Sequence, residues 1–229
     1  MAASVSVLAV TAGCGGGDGD EMASVSASST ATAPTSSSEG DAVTYTTNEF
    51  LDGEMKLAFE DGWSVTEDSP GHLAAAEDED PDYRVMFSLD PYPMKRGRRV
   101  RGVSATADSL FGWLSANPDI RVSPKPEASI GGDLPATVAD VSISGKAVSD
   151  DPTCPDDVCV NFLAFPPSGE GYGLAGDDVI RLYLADIHYN GRKHVLAVTM
   201  EGTDRRDLNA FVGPAKRVVA TAELPATAG

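Results

Sequence analysis

The chain has 229 residues, 41% of them hydrophobic and 23% charged, enough for an ordinary buried core plus an appendage. Its 35 acidic residues against 17 basic ones leave a formal net charge of −18, which repels polyanions and excludes duplex DNA and bare RNA as natural partners. No apolar run reaches the roughly eighteen residues of a spanning helix, and an anionic bilayer surface would repel the average charge, so membrane association needs another device.

The N-terminus carries that device. Residues 1–13 hold no charged side chain and are rich in Val, Ala and Ser, the length and composition of a signal h-region. The run stops at Cys14, and Gly15, Gly16, Gly17, Asp18, Gly19 and Asp20 cannot continue an apolar helix. Thr11-Ala12-Gly13-Cys14 resembles the small-residue box of bacterial lipoprotein signal peptides. Thr11 stands where Leu or Val is usual, and no basic residue precedes the run. In that family the Cys thiol receives a diacylglyceryl group and cleavage makes it the new N-terminus. The resemblance implies that residues 1–14 are signal peptide and lipidated Cys14. It implies also an extracytoplasmic protein held to the cell membrane by its diacylglyceryl anchor. Two acyl chains suffice for that, at ~0.8 kcal/mol per buried methylene.

Residues 15–43 are mostly Gly, Ser, Thr, Ala and Asp, with ASSTATAPTSSSEG at their centre. Such a stretch has too little apolar surface to fold and reads as a disordered linker. Its span is on the order of 30 Å, enough to hold an acidic domain clear of lipid head groups. Residues 44–225 read as one folded domain, without internal repeat or second linker.

In that domain MKLAFEDGW alternates. Met55, Leu57 and Phe59 share one face, and Asp61-Gly62 turns the chain. Leu73 to Ala76 and Tyr83 to Leu89 are further strands. TADSLFGWLSANPD reads as a helix capped by Thr106, with Ala107, Leu110, Trp113 and Leu114 at helical spacing and Asn117-Pro118 as its stop. Strands flank Gly131-Gly132-Asp133. The second, TVADVSI, puts Ala139, Val141 and Ile143 on one face and Asp140 and Ser142 on the other. VCVNFLAF is another strand. DVIRLYLADIHYNGRKHVLAVTM spells two long strands joined by Asn190-Gly191, a type I′ hairpin turn. Ile180, Leu182 and Leu184 lie on one face of it, Val179, Tyr183 and Ile187 on the other, so the sheet should be covered on both faces. DRRDLNAFVGPAKRVVATAEL is helical, capped by Asp204. Leu208, Phe211, Val212, Ala215, Val218, Val219 and Ala222 form its stripe, and Gly213-Pro214 should kink or split it. The fold class is therefore α+β, an antiparallel sheet flanked by helices.

FLDGEMKLAFEDGWSV, SLFGWLSANPDIRV, GGDLPATVADV and the final helix together resemble the PsbP-like domains, which include the LpqN-type lipoproteins of actinobacteria. That resemblance implies a PsbP-like α/β/α sandwich and a non-enzymatic binding or accessory role in the cell envelope. It carries over no ligand residue.

The chemistry-bearing residues are few. If the protein is exported, Cys154 and Cys159 should be joined, closing a short loop worth about 2 kcal/mol. A redox pair usually has two intervening residues where this pair has four, and a zinc site would need two further ligands that no nearby His or Cys supplies. His188 and His194 flank the hairpin turn. A two-residue loop pairs Ile187 with His194 and His188 with Lys193, which sends the two imidazoles to opposite faces. His72 stands alone in a loop. EDEDPDYR packs five acids into six positions and reads as a solvated turn, since it lacks the spacing and the Gly of a calcium loop. GEGYGLAG precedes a strand rather than a helix and reads as a mobile loop. No nucleophile, metal or cofactor motif is present, so no metal and no cofactor are expected. A secreted hydrolase with an unrecognised active site is the competing class. The most unusual feature is MKRGRRVRG. Lys95, Arg96, Arg98, Arg99 and Arg101 place five of the 17 basic residues in seven positions. It reads either as a solvated loop facing the acidic turn or as a docking site for an anionic envelope component or protein, for which Arg forks suit phosphate and carboxylate.

Overall fold

The computed structural model describes residues 42–77, 80–149, 158–166 and 169–225. The expected lipidation site Cys14, nearly all of the expected linker, and Cys154 lie outside the described residues. The chain opens with β1 (Val43–Thr46), a 3-10 turn over Phe50–Gly53, β2 (Lys56–Phe59), β3 (Trp63–Ser69), β4 (His72–Glu77) and β5 (Asp80–Leu89). Then come β6 (Tyr92–Lys95), β7 (Arg98–Arg99), α1 (Ala107–Ala116), β8 (Ile120–Pro124), β9 (Ala128–Ile130) and β10 (Leu134–Ile143). It closes with β11 (Cys159–Phe165), β12 (Glu170–Ala175), β13 (Val179–Tyr189), β14 (Arg192–Gly202) and α2 (Arg205–Ala220).

The main sheet has the order β3-β4-β5-β14-β13-β10-β8, with β9 also on β10, and its pairings are antiparallel. Its axis is the β13–β14 hairpin. Asn190 and Gly191 take φ of 49° and 70°, the left-handed pair that a type I′ turn needs, and the register follows as expected, Ile187 on His194 and His188 on Lys193.

The two faces of that hairpin feed two cores. Val179, Tyr183, Ala185 and Ile187, with Leu196, Val198 and Met200, pack under the α2 stripe and against Met55, Leu57 and Phe59 of the β1–β2 side. Ile180, Leu182 and Leu184, with Val195 and Ala197, pack against α1 and against Val160, Phe162, Leu163 and Leu174. Those last residues belong to a second sheet, β12-β11-β6-β7. The expected cover on both faces is therefore present, a helix and a strand pair on one side, a helix and a sheet on the other. On the α2 side the Trp63 ring stacks between Phe59 and Phe211 at 6.3 and 5.7 Å.

The helices begin where their caps were read. Thr106 Oγ1 accepts from Ser109 N at 3.2 Å, and Asp204 accepts from Arg206 N and Asp207 N at 2.6 and 2.8 Å. Pro214 does not split α2, which runs over 16 residues. Proline removes one backbone donor there, while Phe211, Val212, Ala215, Val218 and Val219 remain buried and hold both halves to one core. GEGYGLAG is not a loop: Glu170–Ala175 is β12, paired with β11. A Cβ on Gly171 or Gly173 would fall 2.9 or 2.7 Å from Asn161 Oδ1, so these glycines serve a close approach between strands. His72 likewise leaves the expected loop. It starts β4, with Nδ1 2.8 Å from Ser88 Oγ.

Candidate functional site

The basic run is a hairpin rather than a loop. Arg96 and Gly97, at φ 51° and 67°, form the turn, and Lys95 pairs with Arg98 and Met94 with Arg99 across it. Two consecutive left-handed residues again suit a type I′ turn, here with Arg in place of the usual Asn or Asp. The Arg99 guanidinium lies 4.4 Å from the centre of the Tyr92 ring, a cation–π contact that fixes it beside β6. Lys95 Nζ is 3.9 Å from Asp119 Oδ2, next to β8. Four strand spacings, about 19 Å, separate β8 from the acidic strand β5 across the main sheet. Arg84, within the acidic run, is paired with Glu201 instead. Arg98, Arg99 and Arg101 are exposed, and none pairs with a carboxylate among the described residues. The hairpin thus presents three uncompensated guanidinium groups on a rigid base, a geometry that can receive phosphate or carboxylate.

A second feature was not legible as a site. A cleft of about 460 Å³ opens at the Asn190 end of the long hairpin, lined by Leu51, Asp52, Tyr189, Asn190, Arg192 and His194 among others. Backbone strain gathers around it. Of the non-glycine residues with left-handed φ among the described residues, Leu51, Asp52 and Asn190 line it, and Asp90 holds its His194. Asn and Asp tolerate that conformation, whereas Leu51 is a true outlier, only 2% exposed. It is over-determined by Asp68, whose carboxylate accepts from the backbone N–H of Asn48, Glu49 and Phe50 at 2.5, 3.2 and 2.9 Å and from the Tyr45 hydroxyl at 2.7 Å. Burial pushes the Asp68 carboxyl up, but those hydrogen bonds outweigh it and hold it below the usual carboxylate range. Asp52 accepts from Tyr189 and Asn190 at 2.6 and 3.0 Å. His194 Nδ1 lies 2.7 Å from Asp90 Oδ2, an acid–histidine pair of the kind that supports nucleophilic catalysis. Among the described residues no hydroxyl or thiol bonds that imidazole.

The third feature is a buried charge cluster. Asp140, which strand alternation put on the polar face of β10, is 1% exposed. That face lies under α2, beside Val138 and Tyr183. Three cations converge on its carboxylate: Arg181 Nε on Oδ1 at 2.8 Å, and Lys125 Nζ and Arg205 Nη1 on Oδ2 at 2.8 and 2.6 Å. Burial pushes the Asp140 carboxyl up. Hydrogen bonds and charge from Arg181 and Lys125, then Arg205, overcome that and hold it below the usual range. The available signal was an acid and an arginine, each inside an otherwise apolar strand. Their pairing, Asp140 opposite Arg181, was not deducible from either strand alone.

Among the described residues no three His, Cys, Asp or Glu side chains are grouped to hold a metal ion, and no helix is long and apolar enough to cross a membrane. Cys159 starts β11, and its expected partner lies outside the described residues.

No family model matches the chain, and no curated protein matches it. Solved structures do. One is a protein of Bacteroides thetaiotaomicron VPI-5482, 13% identical over 75% of this chain and 45% of that one, with a TM-score of 0.32. Another is the Ran-binding protein Mog1p of Saccharomyces cerevisiae, 8% identical over 80% and 95%, at 0.39. The chain is similar, too, to LpqN, involved in cell envelope biogenesis of Mycobacterium tuberculosis, 14% identical over 80% of this chain and 86% of that one, with a TM-score of 0.40.

Proposed function

We propose that this chain is an extracytoplasmic lipoprotein, anchored in the cell membrane through Cys14, whose folded part binds an anionic envelope component or protein without catalysis. One observation carries the reading: the order of segments. An uncharged apolar run ends in a small-residue box at Cys14, a Gly/Ser/Thr stretch follows, and only then does a folded part begin. Tethering requires that order. The docking surface in this reading is the β6–β7 hairpin with Lys95, Arg96, Arg98, Arg99 and Arg101. Its support is the local concentration of cations on a chain whose net charge is −18. A disulfide between Cys154 and Cys159 belongs to the same reading, because an exported chain with Cys14 acylated leaves these two thiols to each other.

Intact mass of the protein from the membrane fraction, with and without reduction, tests it. The expected mass begins at Cys14, carries a diacylglyceryl group and gains the hydrogens of one disulfide on reduction. A native chain that begins upstream of Cys14 and carries no lipid would overturn the anchor. Replacing the five basic residues of the hairpin by Ser should reduce co-sedimentation with anionic vesicles or wall material while leaving the fold intact. Undiminished co-sedimentation removes the hairpin from the reading.

A further inference from the structure

The cluster around Asp140 holds more positive charge than its one carboxylate can balance. Lys125, Arg181 and Arg205 bring three positive charges to one negative charge, an excess of two, within 2.8 Å of the same two oxygens. In an otherwise acidic protein such an excess is not a by-product of composition. A carboxylate placed only to anchor α2 to the sheet would need a single partner.

Arg181 shows where the excess can act. It is 8% exposed, and of its five N–H groups only Nε–H hydrogen-bonds a partner among the described residues. Its Nη groups are not sealed from water, because Thr199 Oγ1 is the one fully buried side-chain polar atom without a partner among the described residues. Lys125 and Arg205 form the rim, their side chains 32% and 48% exposed. The arrangement is a set of water-accessible Nη groups on Arg181, an ammonium and a second guanidinium on the same carboxylate, and a net charge of plus two. Guanidinium forks match the oxygen spacing of a tetrahedral oxyanion, and a phosphate monoester carries about −1.5 to −2 at neutral pH.

We propose that Lys125, Arg181 and Arg205, oriented by Asp140, form a binding site for a phosphate group, distinct from the basic hairpin. Asp140 is a positioning residue: it takes Nε of Arg181 and one donor from each of the other two, and leaves the remaining donors to the ligand. The bound phosphate would neutralise the excess charge and supply acceptors to the unpaired Nη groups of Arg181.

The test is titration of the full chain with inorganic phosphate, followed calorimetrically and by phosphorus NMR line width, in a buffer otherwise free of phosphate and sulfate. Saturable binding is expected, with Arg205→Gln and Lys125→Gln each weakening it at least about tenfold. Lys216→Gln, the same charge change at an exposed position on α2, should leave it unchanged. Sedimentation with phosphatidylcholine vesicles doped with phosphatidate separates a lipid head group from a soluble phosphate: loss of sedimentation in both variants assigns the site to head groups, and binding of inorganic phosphate alone assigns it to a soluble ligand. Absence of saturable binding to both probes in the native chain overturns the proposal. So does equal affinity in the native chain and in both Gln variants. The native measurement stands even if a variant fails to fold.

Discussion

Replacing Asp140 by Asn should be among the most damaging single changes available in this fold. The substitution keeps the shape and removes the charge that three cations share. Lys125 and Arg205 are exposed enough to turn toward water, where losing an ion pair costs little, roughly 0–1 kcal/mol. Arg181 cannot turn away, being 8% exposed in the middle of the sheet. Removing one partner of a buried pair leaves an uncompensated charge and costs about 3–5 kcal/mol, roughly a fifth or more of the stability of an ordinary domain. At about 2–4 °C per kcal/mol for a chain of this size, the melting temperature should fall by roughly 6–20 °C. Urea unfolding read by tryptophan emission suits the measurement, because Trp63 stacks on Phe59 and Phe211 in the core beneath α2. Phosphate and sulfate should be left out of the buffer. The paired change, Asp140→Asn with Arg181→Met, removes the stranded charge as well and should recover at least about half of the loss. A single variant within about 1 kcal/mol of the native chain, or a double variant no better than the single, would refute the reasoning.

Gly131 takes φ of +62°, and a Cβ there would lie 2.0 Å from the carbonyl oxygen of Ala222, so Gly131→Ala should cost about 2–4 kcal/mol in urea unfolding. Gly62→Ala, at φ +87° with nothing within 4 Å of the added carbon, should cost only the conformational penalty of about 1–2 kcal/mol. Asp68 and Asp140 are both held below the usual carboxylate range in the folded chain. Their stabilisation is complete above the unfolded value of about 3.9 and is lost as pH falls through the lower folded values, so an acid titration of the melting temperature should drop steeply below about pH 4 and less steeply in Asp68→Asn. Burial and the hydrogen bonds to Asp68 and Asp52 push the hydroxyls of Tyr45 and Tyr189 up to about 12. Titration of tyrosine absorbance should therefore show two groups ionising near 12, and stability contributed by them should be lost as pH rises from about 10 toward 12.

What the sequence disclosed was local chemistry. Asn190-Gly191 fixed its turn type, and the turn type fixed eleven pairs of β13 on β14, because each depends on its neighbours alone. Thr106 and Asp204 announced their helices for the same reason. Features whose cause lies far along the chain were hidden. Gly171 and Gly173 look like loop residues until Asn161 is brought against them. The basic run looks like an irregular loop until Arg96 takes the left-handed conformation and folds Arg98 back onto Lys95. Asp140 sits on the expected face of β10, but which layer covers that face is decided by α2, 65 positions away at Arg205. Alternation in a strand reports sides; it does not report which side is dry.

Net charge and local charge act over different ranges in this molecule. At physiological ionic strength the Debye length is about 8 Å, so the −18 of the whole chain governs the approach of an anion from a distance and little of what happens on contact. The hairpin and the Asp140 cluster are the places where, in the two proposals above, contact chemistry would oppose that long-range repulsion. They differ in what screens them. The hairpin guanidiniums stand in water, so whatever they hold should be released by moderate salt. Arg181 is 8% exposed, so an anion seated against its Nη groups, as proposed, should lose less to screening. The proposed site at the Asp140 cluster should therefore favour small anions that reach Arg181 over large anionic surfaces. The salt dependence of binding therefore separates the two sites without any substitution.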